Sequence, residues 1–236
     1  MMGETTADAS RPVTKTTTGV IVLPRSHPLI QRKLVKPEHQ ARIGKSACDQ
    51  CRYCTEYCPR FLLGYAVEPH QVMRSLAFTA TGAAWWNQFA SLCCSCGLCT
   101  LFACPEGLYP KEACDSSKAE LRKASQKWSG PMTVTPHPMH DGRRVPVKAL
   151  ARKLGVADFD VETPFVAAPL TPGRVVLPLR QGAGVAGQPL VRPGDRVSAG
   201  QPLTAIPPGQ LGAIIHAPFA AAVAELTATA VVLTRT

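Results

Sequence analysis

Two cysteine runs constrain this chain more than any other feature. The first is CDQCRYCTEYCPR, with the spacing Cys48-x2-Cys51-x2-Cys54-x3-Cys58-Pro59. The second is CCSCGLCTLFACPEG, with the spacing Cys93-x2-Cys96-x2-Cys99-x4-Cys104-Pro105. Three cysteines two residues apart wrap a tight turn around one cubane, so three thiolates reach three irons. The fourth iron needs a ligand from another direction. The bacterial [4Fe–4S] run is C-x2-C-x2-C-x3-C-P, and in two-cluster proteins the fourth cysteine of each run ligates the other cluster. The first run matches at every position, and the second has one extra residue before its last cysteine. The spacing therefore predicts two [4Fe–4S] clusters. One takes Cys48, Cys51, Cys54 and Cys104, and the other takes Cys93, Cys96, Cys99 and Cys58. The competing reading is structural zinc, but four-cysteine zinc sites usually use two separated C-x2-C knuckles. Triplets that each end in a further Cys-Pro do not fit that pattern. Cys94 and Cys114 are left over and are read as buried structural thiols, since free cysteine is commonly buried.

Composition sets the limits around these runs. The N-terminus is polar and lacks the apolar centre of a signal peptide. No stretch approaches the roughly 18 apolar residues of a membrane span. The chain is therefore expected to be cytoplasmic, where thiols stay reduced and ten cysteines argue for metal rather than disulfides. A hydrophobic content of 45% is enough for packed cores, while 22 prolines and 18 glycines favour loops and short strands over long helices. The net charge of +10 suits acidic partners or anionic cofactors. Nucleic acid is not expected as a partner, because no aromatic-rich stacking surface is evident.

Along the chain, residues 1–18 read as a disordered tail. Residues 19–128 read as a mostly helical, ferredoxin-like domain with both clusters. It begins with a short strand, VIVL. A helix is predicted over 67–80, where Val72, Leu76 and Thr79 or Ala80 repeat near helical spacing, and another over 111–128. Trp85 and Trp86 are read as core residues. Residues 129–162 read as a linker rich in Pro, His and Gly with a short helix at 147–156. His137 and His140 lie close together there, but no further ligand is near. Residues 163–236 alternate short β-rich runs with Pro and Gly turns, which predicts a small all-β module. The fold class is thus α+β and multidomain.

Two attractive motifs in the β module fail. Gly182-x-Gly184-x-x-Gly187 is followed by Pro189 and Pro193 rather than by the helix a dinucleotide site needs. The run from Gly194 to Leu203, GDRVSAGQPL, resembles the barrel-sandwich hybrid fold of lipoyl and biotinyl carriers. The next hairpin, IPPGQLGAI, has no lysine to carry such a group. The module is therefore read as structural or as a docking surface, and His216 as a core or turn histidine.

Taken in order, RPVTKTTTGVIVLPRSHPLI, the cysteine runs with LLGYAVEPHQVM between them, VVLPLRQGAG and the barrel-sandwich module resemble one family. It is the cobalamin reductase family of propanediol-utilisation microcompartments, in its C-terminal half, which is related to the C subunit of Rnf-type electron-transport complexes. Family members carry an upstream flavin- and NADH-binding portion, and this chain is expected to lack it. No catalytic residue, and no flavin or corrinoid contact, is carried over to any position here.

The resemblance implies an electron-transfer component of an oxidoreductase rather than a complete enzyme. It would relay single electrons through the two clusters from a flavoprotein or NADH-linked donor. The acceptor would be a corrinoid, its enzyme or an adenosyltransferase in a bacterial microcompartment. Two alternatives stay open. One is a peripheral subunit docked to an Rnf-like membrane complex. The other is a structural or assembly protein whose clusters act as staples.

Overall fold

The computed structural model describes residues 5–77, 87–162, 164–167 and 172–236, which divide into two units. Thr79, Ala80, Trp85 and Trp86 lie outside the described residues.

In the first unit, Leu23–Glu162, proline starts the helices instead of only breaking the chain. Helices α1 (Pro28–Lys33), α2 (Pro37–Ala47), α4 (Pro59–Leu62) and α5 (Pro69–Ser75) all have Pro in the first turn, as does α6 (Pro110–Lys123). The missing N–H is one of the helix's orphan donors anyway, and the fixed φ suits the first helical position. Helices α3 (Tyr53–Glu56) and α7 (Val147–Lys153) lack this feature. Helices α5 and α6 pack on each other through a core of Val72, Met73, Leu108, Ala113 and Cys114, with Ala90 between them and Ile43 of α2 alongside. Cys48, Cys93 and Cys104 border the same core.

The segment expected to be a linker belongs to this unit. The His137 N–H donates to the Leu62 carbonyl at 2.9 Å, and the His137 ring lies on Phe61 at 5.0 Å. Arg143 pairs with Glu56 at 2.8 Å and sits over the Tyr57 ring. Gly64 has φ 94°, and a Cβ there would run into the Thr135 carbonyl, so only glycine lets the two segments approach. His140 pairs with Asp141 instead of meeting His137 at a metal.

The second unit joins Thr6–Val22 to Thr163–Thr236. Strands β1 (Arg174–Pro178), β6 (Ala230–Arg235), β5 (Ala221–Leu226) and β3 (Arg196–Val197) form an antiparallel sheet in the order β1-β6-β5-β3. Val176 stands opposite Val232, and a bulge falls between Val223 and Glu225. A second, two-stranded sheet pairs β2 (Gln188–Pro189) with β4 (Thr204–Ala205). Among the described residues these strands do not close into a barrel. They enclose a core of Leu179, Val191, Val197, Leu203, Ile215, Val223, Val231 and Leu233.

The GDRVSAGQPL run makes two turns of this module. Gly194 and Gly200 take φ of 95° and 78°. The Asp195 carboxylate accepts the Arg192 N–H at 2.7 Å, and Gln201 Oε1 accepts the Ser198 N–H at 3.0 Å. At Gly184 and Gly187 a Cβ would strike Leu211 and Thr204, so these glycines serve close packing, and no helix follows them. His216 is exposed and forms an isolated antiparallel bridge with Pro202, so it is neither the core nor the turn residue expected.

Residues 6–22 lie on this module in place of the free tail expected for 1–18. The Lys15 N–H donates to Gln181 Oε1 at 2.8 Å, and Lys15 Nζ donates to the Ile214 carbonyl at 2.8 Å. The predicted VIVL strand is absent, and Val20, Ile21 and Val22 are exposed coil without a ladder partner.

Leu203 is fully buried at the centre of the β module. Leu203→Ala should lower its unfolding free energy by about 2–5 kcal/mol, read from the midpoint of urea unfolding.

Candidate metal centre

The two cysteine runs follow the same backbone course. In the first, Gln50 and Arg52 flank Cys51 with φ of 62° and 68°. In the second, Ser95 and Gly97 flank Cys96 with φ of 57° and 83°. Three of these four left-handed residues carry a Cβ and are therefore strained, and strain of this kind persists only where the surroundings impose it. Each run curls twice around its middle cysteine. Gln50 Nε2 donates to Cys48 Sγ at 3.1 Å, and the Ser95 N–H donates to Cys93 Sγ at 3.3 Å, so the first thiol of each run has an N–H donor.

The unequal spacing before the fourth cysteine is absorbed locally. In the first run Cys54 lies within α3, and the Cys58 N–H reaches the Thr55 carbonyl. After Cys99 it makes a π-helical turn, Cys99–Ala103, closed by the Cys104 N–H on the Cys99 carbonyl at 3.1 Å. A π turn takes up one more residue than an α turn. Both fourth cysteines then arrive with the same backbone, φ −73° and ψ 119° at Cys58, φ −70° and ψ 117° at Cys104.

Cys48, Cys51, Cys54 and Cys104 line one concavity together with His70, Met73 and Leu108. Cys58 lies within electrostatic range of Cys93 and Cys96, and Cys99 of Cys58, Cys54, Cys93 and Cys96. Cys54, Cys58 and Cys99 are buried, and Cys51 is exposed. Burial pushes the Cys54 and Cys58 thiols up to about 12; neighbouring Cys104 adds to the shift at Cys54, and Cys93 to that at Cys58. Burial also raises Cys99 well above the usual thiol range. Thiols so placed stay protonated unless cations displace the protons. Cys93 goes the other way, down to about 6, because Cys114 hydrogen-bonds its sulfur and the Ser95 N–H and Lys118 help.

Among the described residues no three His, Cys, Asp or Glu side chains close around a single ion. The thiols are gathered more widely, and all-sulfur donor sets suit iron–sulfur clusters. The residues present therefore fit such groups.

A pair of threonines ties each run to a helix. Thr55 and Thr100 each follow the third cysteine of their run, and both are buried. Thr55 Oγ1 accepts the His70 N–H at 3.2 Å, and Thr100 Oγ1 accepts the Lys111 N–H at 2.8 Å. Helices α5 and α6 have no capping side chain of their own. Each threonine thus satisfies an orphan donor of a helix start and holds that helix against the cysteine loop. Around the second run, Thr100 donates to Glu112 at 2.8 Å, Ser95 to Asp115 at 2.6 Å, and Lys118 Nζ to the Cys93 carbonyl at 2.7 Å.

Sequence reasoning missed both threonines and His70, since a lone Thr after a cysteine carries no distinctive spacing. It read Cys94 as buried, but Cys94 is exposed, while Cys114 is fully buried as expected.

Comparison with known proteins agrees with this geometry. Residues 47–109 match the 4Fe-4S dicluster domain, and residues 161–235 match the RnfC barrel sandwich hybrid domain. The cobalamin reductase PduS of Salmonella typhimurium is 37% identical over 235 residues, covering all of this chain and 52% of that protein. The cobalamin reductase PduS of Citrobacter freundii is 34% identical, with the same coverage. The resemblance read from the sequence is borne out, and the chain spans about half the length of these curated relatives. It joins a 4Fe-4S dicluster domain to an RnfC barrel sandwich hybrid domain and is similar to cobalamin reductases over its whole length.

Proposed function

We propose that this chain is an electron relay within an oxidoreductase. A mostly helical ferredoxin-like domain holds two [4Fe–4S] clusters, one on Cys48, Cys51, Cys54 and Cys104 and the other on Cys93, Cys96, Cys99 and Cys58. The observation that supports this most is the shared concavity of Cys104 with the first triplet, matched by the closeness of Cys58 to the second. When bound, each cluster accepts and releases one electron. The protein's part is to hold and tune. Gln50, Ser95 and the Leu108 N–H donate to Cys48, Cys93 and Cys104 sulfurs and stabilise their charge. The burial of Cys54, Cys58 and Cys99 keeps water from that side of the site.

The donor in this reading is a flavoprotein or an NADH-linked protein, and the acceptor is a corrinoid or its enzyme. The naming of both relatives as cobalamin reductases supports that acceptor. The setting is the cytoplasm, within a bacterial microcompartment. A second reading is a subunit docked to an Rnf-like membrane complex. The RnfC match over 161–235 favours it. Docking suffices for that role, as no helix among the described residues is long and apolar enough to cross a membrane.

Anaerobically purified protein should contain about eight irons and about eight labile sulfides per chain, with an S = 1/2 EPR signal after dithionite. Zinc in place of iron would overturn the reading. Reduced protein mixed anaerobically with hydroxocobalamin should lose its reduced signal as the corrinoid is reduced; no reaction would exclude the corrinoid acceptor.

The crossed ligation has its own test. Cys58→Ser should alter the same EPR signal as Cys96→Ser, and Cys104→Ser the same signal as Cys51→Ser. If Cys58→Ser instead matches Cys51→Ser, each run serves its own cluster.

A further inference from the structure

The two halves of the metal centre differ at one matching position. His70 and Lys111 both stand second in their helices and both give their N–H to the threonine of their run. Lys111 turns its side chain to Asp115 at 2.6 Å. His70 is 8% exposed, and its ring lines the concavity of Cys48, Cys51, Cys54 and Cys104.

Thr55 is the group that selects the His70 tautomer. His70 Nδ1 lies 2.8 Å from Thr55 Oγ1. That oxygen also accepts the His70 N–H, and a Thr55 hydroxyl that donates to Nδ1 leaves the ring hydrogen on Nε2. The Glu68 carboxylate is 3.8 Å from Nδ1, too far to compete. In that tautomer the ring donor is Nε2, which makes no hydrogen bond with a described residue. The sulfur-lined concavity is what this ring faces.

We propose that His70 takes this tautomer, donates its Nε2 hydrogen to sulfur of the cluster held by Cys48, Cys51, Cys54 and Cys104, and thereby raises that cluster's potential. Reduction adds one negative charge, and an N–H donor stabilises the more negative state. Among the described residues the matching position of the second half supplies no imidazole, since Lys111 pairs with Asp115 and the Thr100 hydroxyl goes to the Glu112 carboxylate. His70 is a positioning and tuning residue and not a catalytic one. The inference rests on the cluster-ligand reading of the previous section.

The test is a potentiometric EPR titration of the full chain, with iron content measured on the same samples. His70→Phe removes the donor, and His70→Gln keeps a side-chain N–H. With iron unchanged, His70→Phe should shift the reduced-to-oxidised ratio of one cluster at fixed potential about tenfold toward oxidised, about 59 mV for a one-electron couple. The other cluster should stay put, and His70→Gln should recover part of the shift. Unchanged midpoints in fully loaded His70→Phe overturn the proposal. Should His70→Phe fail to load iron, pulsed EPR on reduced wild-type protein carrying 15N-histidine decides. A 15N coupling to one cluster supports the proposal, and no coupling overturns it. Absence of iron from the wild-type chain would instead be a failure of the cluster reading itself.

Discussion

Buried thiols that face one another are stable as thiolates only with cations among them, and the first unit is organised around that constraint. Burial and neighbouring cysteines hold Cys54, Cys58 and Cys99 far above the normal thiol range. Among the described residues the apolar core beside them is centred on Val72, Met73, Leu108, Ala113 and Cys114. Cys48, Cys93 and Cys104 border it, so the packing of α5 on α6 and the placement of the sulfurs are one arrangement. Metal bound there would contribute to the stability of the unit, as in small domains that depend on metals.

The unit has an internal near-symmetry that extends well beyond the cysteines. Left-handed residues flank both middle cysteines, matching dihedrals occur at Cys58 and Cys104, and Thr55 and Thr100 play the same capping part. Where the symmetry breaks, it breaks chemically. One helix start presents an imidazole to its cysteines; the other presents Lys111 and Glu112, both engaged elsewhere. A relay with two similar carriers needs a difference of this kind to give electrons a direction. The sheet module is separate in character, built on two tight turns and an apolar interior without any charged centre.

The cysteine spacing, the helices over parts of 67–80 and 111–128, and the β character after 163 were all legible in the sequence. These rest on local periodicity and on short motifs. The prolines misled in part, because Pro signals loops in composition but opens helices at Pro37 and Pro110, whereas Pro69 suits the first turn of the helix read over 67–80. The linker over 129–146 and the tail before residue 19 were misread for a different reason. Their order comes from partners far along the chain, Leu62, Glu56, Gln181 and Ile214. No local pattern encodes such contacts.

By itself, then, the sequence determined the donor chemistry, because ligand type and spacing within each triplet are local properties of a short loop. It also determined the glycine turns of the β module, since φ values of 95° and 78° demand little else. The tertiary structure alone decided that a π turn equalises the two runs, that Thr55 and Thr100 cap the helices beside them, and that His70 lines the concavity of the first triplet while Lys111 pairs with Asp115. Those outcomes depend on how helices pack and where buried polar groups find partners, and burial is a property of the folded chain as a whole.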